Sequence, residues 1–265
     1  MKIGFAVPNI GPVATPEAIK AVAQKAEALG YHSLWTVERL LWPVNPQLPY
    51  PATADGSLPE PYKYCLDPLG NAVHTVLAGD IAAKTVAITG CGPIGLFAIE
   101  VAHACGATQV FAIETNVYRR KIAEQMKADF VLDPAAQDVK QIVLDATNGV
   151  GVDVVLEMAG HPSAIRSGFD ILRRGGRISL LGIPSKPIAL DFADDIIFKG
   201  ATIQGINGRK MYQTWYQMTA LLKAGKLNLH PVITDKLQMK DFNKGMERLR
   251  TGEASKILLY PNGSK

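Results

Sequence analysis

The feature that most constrains the fold is a glycine-rich turn, Gly90-Cys91-Gly92-Pro93-Ile94-Gly95, which separates a short apolar segment from a helical one. Residues 86–88 have the composition of a buried strand, and residues 96–104 that of a buried helix. An acidic residue, Glu114, ends the next apolar segment. Strand, turn, helix, strand and acid in this order predict a parallel α/β unit that binds the diphosphate of a dinucleotide.

Short strands and helices alternate along most of the chain. Strand-like segments rich in Val and Ile occupy residues 85–89, 109–114, 130–133, 152–158, 177–182 and 201–206. Helical spacing occupies residues 94–105, 117–127, 137–147, 163–173 and 211–224. This alternation predicts an α/β fold with a doubly wound parallel sheet, the Rossmann arrangement. A smaller strand, helix and strand end at residues 257–260.

The first 66 residues have a different pattern. A strand at residues 3–7, a helix at 16–29 and a second strand at 31–37 predict one βαβ unit. Six prolines then lie between positions 43 and 61. Because proline interrupts both helix and interior strand, this stretch is predicted to be a long loop.

Composition excludes several classes of partner. The net charge of +4 comes from scattered Lys and Arg, so nucleic acid is not an expected partner. No apolar run reaches the roughly 18–20 residues that a membrane span needs. Cys65, Cys91 and Cys105 have no metal-type spacing, and free thiols in a reducing, cytoplasmic location are expected.

Each part of the turn has a separate predicted role. Gly90 permits the tight turn, Gly92 leaves room for the diphosphate, and Gly95 lets helix and strand pack closely. The carboxylate of Glu114 would accept hydrogen bonds from the adenosine ribose and repel a 2′-phosphate, which favours NAD over NADP. A glycine-rich turn that binds nothing is the alternative.

Three further runs carry a resemblance to a known family. They are Asp67-Pro68-Leu69-Gly70-Asn71-Ala72-Val73-His74-Thr75, Phe198-Lys199-Gly200 and Gly205-Ile206-Asn207-Gly208-Arg209. With the glycine turn, residues 67–262 resemble the zinc-dependent L-threonine 3-dehydrogenases, which are medium-chain dehydrogenases. The resemblance implies an oxidoreductase that uses NAD to oxidise the secondary alcohol of an amino acid, and a homo-oligomer. It divides this part into an NAD-binding domain at 67–209 and a C-terminal segment at 210–265.

The resemblance also implies a set of cofactor-binding residues. They are Gly90, Gly92, Pro93, Ile94, Gly95, Glu114, Arg119, Leu181, Gly182, Ile183, Ile206 and Asn207. Glu114 and Arg119 would bracket the adenosine ribose. The residues from Leu181 onward would form the nicotinamide side, although strands that end in glycine also occur in sheets that bind nothing.

The family holds its catalytic zinc through Cys, His and Glu of an N-terminal domain, and no such set precedes Asp67. Zinc is therefore expected for the family, but its ligands are expected to be absent, and catalytic residues stay unassigned. The donors considered are His32, His74, His103, His161, His230, Cys65, Cys91 and Cys105, and no pair has ligand spacing. We expect NAD(H) binding with impaired turnover of a small-molecule substrate. The alternative is a non-catalytic NAD(H)-binding or oligomerisation module that pairs through residues 201–206.

Residues 1–66 carry a second resemblance. Their strand, helix and strand, followed by Leu40-Leu41-Trp42-Pro43-Val44-Asn45-Pro46, resemble the opening of luciferase-like, deazaflavin-dependent monooxygenases. This predicts a chimera joined near Asp67. One βαβ unit is not a barrel, so no deazaflavin is expected, and whether residues 1–66 fold or cover the NAD site stays open.

Several other residues keep two interpretations. Arg119 and Arg120 fit either a phosphate contact or a solvated helical turn. His74 fits a place near the cofactor or a structural role, and Cys91 fits a small side chain or a reactive thiol. The aromatic residues Tyr212, Trp215 and Tyr216 could line a cofactor pocket, but we favour a role in core packing. The acids Asp191, Asp194 and Asp195 could form an acid–base group, but we favour a solvated turn.

Overall fold

The computed structural model describes residues 4–6, 16–29, 33–35, 62–210 and 212–260. The chain divides into two compact units, Met1–Asp67 and Pro68–Lys265. In the first unit, β1 (Gly4–Ala6) and β2 (Ser33–Trp35) pair in parallel, and α1 (Pro16–Ala28) lies between them in sequence. The predicted βαβ order is therefore present. The proline-rich loop, the run at 40–46 and His32 lie outside the described residues.

The second unit is built on a six-stranded parallel sheet in the order β5-β4-β3-β6-β7-β8. The strands are β3 (Thr85–Thr89), β4 (Gln109–Ile113), β5 (Phe130–Leu132), β6 (Val152–Glu157), β7 (Leu172–Leu180) and β8 (Thr202–Gly205). Later strands are added on one side of β3 and then on the other. The chain therefore reverses its winding at β3, and parallel sheets bind ligands in the crevice at such a point. The predicted doubly wound fold is confirmed.

Helices precede and connect the strands, and all but the first of them lie where the sequence predicts. They are α2 (Tyr62–Val76), α3 (Pro93–Ala104), α4 (Val117–Gln125), α5 (Val139–Ala146), α6 (Pro162–Ile171) and α7 (Gln213–Lys223). Local chemistry fixes where several of them begin. Asn116 accepts a hydrogen bond from the Arg119 amide, and Asp138 accepts one from the Gln141 amide, so both act as N-caps.

The core lies between the sheet and its helices. Phe111 on β4 and Phe169 on α6 are fully buried, and the ring of Phe111 stacks on Phe130 with centroids 4.6 Å apart. Among the other helices, α3 is an example of deep contact with the core, since most of its residues are buried. Burying a ring of this size stabilises the fold by roughly 1.5–3 kcal/mol, so the core holds the strand ends in fixed register.

Two further segments differ from the sequence prediction. Strand β7 begins at Leu172 rather than Arg177, because Leu172 pairs with Val152 before the register shifts. It ends at Leu180, because the chain then turns toward Glu157.

The second difference is a π-helix at Phe192–Ile197, which Asp191 caps by accepting from the amides of Ala193 and Asp194. The interpretation of the aspartates as a solvated turn is wrong for Asp195. It is buried and paired with Arg166 on α6.

The C-terminal part has the predicted strand, helix and strand. Strands β9 (Ile233–Gln238) and β10 (Lys256–Tyr260) pair in parallel, and α8 (Phe242–Arg250) lies between them in sequence. Within the described residues, no helix combines the length and apolar character that crossing a bilayer requires.

Candidate functional site

The glycine turn lies between β3 and α3, at the carboxyl edge of the sheet. Gly90 has a φ of 91°, and a Cβ there would come within 2.8 Å of the Ala159 amide nitrogen. A Cβ on Gly95 would overlap the backbone oxygen of Gly90. A side chain at either position would force the surrounding backbone to shift, so both positions strongly favour glycine.

Gly92 is different because the folded chain leaves its surroundings open. A Cβ at this position would meet no atom within 4 Å. Gly92 is the N-cap of α3, and its oxygen accepts from the Leu96 amide at 2.9 Å. Pro93 begins the helix, so the next amides, those of Ile94 and Gly95, have no carbonyl one turn earlier. Open space in front of free amides is what a bound anion needs.

Glu114 follows β4 and is 7% exposed. Its Oε2 accepts from the Cys91 amide at 2.7 Å, and its Oε1 accepts from the Asn116 amide at 2.9 Å. The carboxylate thus anchors the second residue of the turn, a role that the sequence analysis did not assign. Because a carboxylate has about four lone-pair positions, it keeps acceptor capacity for ribose hydroxyls.

The two arginines beside Glu114 have different surroundings. Arg120 donates to the backbone oxygens of Glu114 and Thr115, and it pairs with Asp133 at 2.9 Å. The interpretation of Arg120 as part of a solvated turn is therefore wrong. Arg119 places Nη1 3.9 Å from Glu114 Oε2, and its buried Nε has no hydrogen-bond partner. Arg120 is thus held by three protein oxygens, whereas the one ion pair of Arg119 at this edge is its long contact with Glu114.

The residues predicted for the nicotinamide side follow β7 and β8. The amides of Leu181 and Gly182 donate to the backbone oxygen of Glu157 at 2.9 and 3.1 Å. Ile183 is 91% exposed, whereas Ile206 is 7% exposed and Asn207 is exposed. Since all strands of the sheet are parallel, these loops leave the same edge as the glycine turn.

His74 on α2 is tied to the loop after β8. Its Nδ1 donates to the backbone oxygen of Gly208 at 2.7 Å, which requires the tautomer with the proton on that nitrogen. This contact supports the structural interpretation of His74. It also fixes the backbone next to Asn207.

Cys91 is fully buried inside the turn. Burial, reinforced by the negative charge of Glu114, raises the pKa of the Cys91 thiol far above its ordinary value. A reactive thiol needs a lowered pKa, so the interpretation as a small buried side chain holds.

The aromatic cluster on α7 does not pack as predicted. Tyr212 and Tyr216 are 59% and 69% exposed, so the packing interpretation is wrong for both. Trp215 is half-buried and receives the Arg209 guanidinium 5.9 Å from its ring centroid. The start of α7 therefore presents aromatic surface.

The described side chains do not fit a zinc site. Among them, no three His, Cys, Asp or Glu groups lie together. His103 contacts the backbone oxygen of Lys127 at 3.1 Å, and His161 caps α6 through Ser163. The side chains of Cys65 and Asp67 lie outside the described residues.

Comparison with known proteins agrees with this geometry. Residues 93–224 match the profile of the family described as zinc-binding dehydrogenase. An L-threonine 3-dehydrogenase from Bacillus licheniformis is 47% identical over 204 residues, which cover 77% of this chain and 59% of the relative. The chain thus spans about three fifths of the length of that curated relative.

Solved structures of dehydrogenases have a similar fold. An alcohol dehydrogenase from Thermotoga maritima superposes with a TM-score of 0.69 at 32% identity, covering 75% of this chain and 56% of that one. A zinc-binding dehydrogenase from Sinorhizobium meliloti, solved bound to NADP, gives 0.68 at 25% identity, with coverages of 74% and 58%.

Proposed function

We propose that the second unit binds NAD(H) as the cofactor half of an oxidoreductase of the L-threonine dehydrogenase type. The observation that carries the proposal is the open space at Gly92, in front of the first-turn amides of α3 and beside the anchored Glu114. An anion at these amides would gain charge-assisted hydrogen bonds and the favourable end of the helix dipole. The similarity to L-threonine 3-dehydrogenases supports the substrate class.

We favour NAD over NADP for the preferred cofactor. Glu114 keeps a buried carboxylate at the place where the adenosine ribose would lie, and a 2′-phosphate would be repelled there. Arg119 offers a counter-charge, but it is already 3.9 Å from Glu114. The relative from Sinorhizobium meliloti was solved bound to NADP, so the preference proposed for this chain rests on Glu114 rather than on that relative.

We propose that turnover by this chain alone is impaired. Hydride transfer needs the alcohol carbon held about 3–3.5 Å from the nicotinamide and a group that removes the hydroxyl proton. Zinc supplies that activation in this family, but the described donors do not fit the metal. We therefore propose that the chain binds the dinucleotide. Oxidation of a small-molecule alcohol is proposed only for a form of the protein that also has the zinc ligands.

A non-catalytic NAD(H)-binding or oligomerisation module is the second candidate. Strand β8 is at the edge of the sheet, and its residues Thr202 and Ile203 are exposed. An unpaired strand edge can pair with its counterpart in a second copy of the chain.

The free thiols of Cys91 and Cys105 favour a reducing, cytoplasmic location.

For residues 1–66 we propose an origin separate from the dehydrogenase domain, in a luciferase-like monooxygenase. The parallel pairing of β1 with β2 supports the proposal, and so does the start of the dehydrogenase similarity after this segment. The test is expression of residues 67–265. If they bind NADH as the whole chain does, the two parts are independent, and loss of binding would contradict the proposal.

Titration of the purified chain with NADH, followed by its fluorescence, tests the main proposal. We expect saturable binding, tighter for NADH than for NADPH. Threonine oxidation with NAD is then measured with and without added Zn²⁺. Binding without turnover supports the impaired enzyme or the module, turnover restored by zinc supports an enzyme complete in itself, and no binding refutes the function.

A further inference from the structure

Glu157 is a fully buried acid that none of the predicted roles uses. It ends β6 and pairs in register with Thr89 at the end of β3 and with Leu180 at the end of β7. It therefore lies at the point where the sheet reverses its winding. Fully buried acids are rare unless they are paired or hydrogen-bonded, so its contacts need an account.

The contacts of Glu157 join three segments at this edge. Its Oε1 accepts from the amides of Ala159 and Gly160 at 3.0 and 2.9 Å and from the Thr89 hydroxyl at 3.4 Å. Its backbone oxygen accepts from the amides of Leu181 and Gly182. One residue thus links β3, the loop after β6 and the loop after β7.

The two loops are packed so closely that only glycine fits between them. A Cβ on Gly182 would come within 2.6 Å of Glu157 Oε2 and would overlap the Gly160 amide nitrogen. Gly160 has a φ of 65°, and a Cβ there would lie 2.8 Å from the Ile183 amide nitrogen. The carboxyl group is therefore part of the packing that sets the position of both loops.

The second oxygen of the carboxyl group is unpaired. Oε2 is buried and has no hydrogen-bond partner among the described residues. The Gly182 amide is nearby but donates to the backbone oxygen instead. Burial raises the pKa of Glu157, while the amides of Gly160, Ala159 and Gly182 and the Thr89 hydroxyl oppose that rise. The groups that face the carboxyl are neutral, so a neutral amide side chain can reproduce its contacts.

We propose that Glu157 is a positioning residue for the nicotinamide half of the dinucleotide. By holding the loops at 159–160 and 181–183 against the end of β3, it fixes the wall on which the nicotinamide would rest. The inference rests on the proposed NAD(H) binding. The adenosine half meets Glu114 and the start of α3 instead, and it should not depend on Glu157.

The test compares a whole dinucleotide with its adenosine half. Calorimetric titration of the full chain with NADH and with AMP gives the two dissociation constants for each variant. In Glu157→Ala, the loop amides lose their acceptor, and we expect NADH affinity to fall about tenfold or more while AMP affinity stays within about twofold. Glu157→Gln restores NADH affinity to within about threefold of the unaltered chain, because its oxygen accepts from the same amides.

Asp153 provides a matched control on the same strand. It lies at the opposite end of β6, where it accepts from the Thr85 amide at 2.9 Å and pairs with Arg173 at 2.6 Å. Asp153→Ala removes a carboxylate of similar structural importance, so it lowers the melting temperature. In Asp153→Ala we expect the ratio of NADH to AMP affinity to stay unchanged. A selective loss of NADH affinity in Glu157→Ala then cannot be explained by a general loss of stability.

A second variant keeps the test decisive if Glu157→Ala does not fold. Glu157→Leu fills a similar volume without an acceptor, and the same selective loss of NADH affinity is expected. Equal loss of NADH and AMP affinity, unchanged NADH affinity, or no rescue by glutamine overturns the positioning role. Failure of the unaltered chain to bind either ligand overturns the proposed function instead.

Discussion

Replacement of Gly92 by alanine should weaken dinucleotide binding at least tenfold while leaving the fold intact. The φ of Gly92 is −64°, a value that any L-residue adopts, and a Cβ would meet no atom within 4 Å. The only stability cost is the N-cap preference of glycine over alanine, about 0.5–1 kcal/mol. The new methyl group would instead occupy the space in front of the amides of Ile94 and Gly95.

The loss of affinity follows from the hydrogen bonds that the diphosphate would lose. A hydrogen bond to a charged group contributes about 1.5–3 kcal/mol. Loss of a single bond therefore weakens NADH binding by about 10- to 150-fold at 1.4 kcal/mol per tenfold. Loss of two would put binding below detection.

A second variant separates binding from stability. Gly92→Ser restores a favourable N-cap but keeps the obstructing Cβ, so its melting temperature should match that of the unaltered chain while NADH binding is weakened as it is in Gly92→Ala. Thermal unfolding followed by circular dichroism and titration with NADH measure the two quantities. If both variants bind NADH normally, Gly92 does not face the diphosphate and the reasoning is wrong.

Three other substitutions test separate parts of the structure. Gly95→Ala should lower the melting temperature by several degrees, because its Cβ overlaps the Gly90 oxygen; an unchanged melting temperature would contradict the turn geometry. Glu114→Gln should reduce the preference for NADH over NADPH by about tenfold, since the repulsion of the 2′-phosphate is removed; equal preferences before and after would contradict it. Asp195→Asn should cost about 1–3 kcal/mol at pH 7. Arg166 lowers the pKa of Asp195, so this stabilisation is fully present above the unfolded-state pKa of about 3.9 and is lost progressively as the pH falls from there through the lowered pKa of the folded state; a difference in denaturant midpoint that does not shrink between about pH 5 and pH 2 would refute the pairing.

The order of the elements was predictable because the central parallel strands are buried on both faces. Strand β3 and its neighbour β4 are therefore continuous runs of apolar residues, and their ends were predicted to within a residue. The start of β7 was missed because Arg173 and Arg174 are polar and precede two glycines. Its pairing with β6 is a non-local effect that hydrophobic spacing does not reveal.

The site was predictable only in part, for a similar reason. The glycine turn and Glu114 follow one another in sequence, so their spacing carries the motif. The π-helix contains Asp195, which pairs with Arg166, a residue 29 positions earlier in the chain. A pairing over this distance leaves no local sequence pattern from which the π-helix could be predicted. The sequence did contain a sign of the role of Glu157. It is an acid at the end of an apolar strand, just as Glu114 is an acid directly after one.

Glu114 both accepts the Cys91 amide and is proposed to repel a 2′-phosphate. Coenzyme preference and the shape of the turn therefore depend on the same side chain. A small neutral residue at this position would admit a phosphorylated ribose, but it would also leave the buried Cys91 amide without its acceptor. Evolution toward the other coenzyme, or a designer with the same aim, must therefore combine that exchange with a new acceptor for the amide. Single replacements at this site should yield weak binders of both dinucleotides rather than a clean reversal.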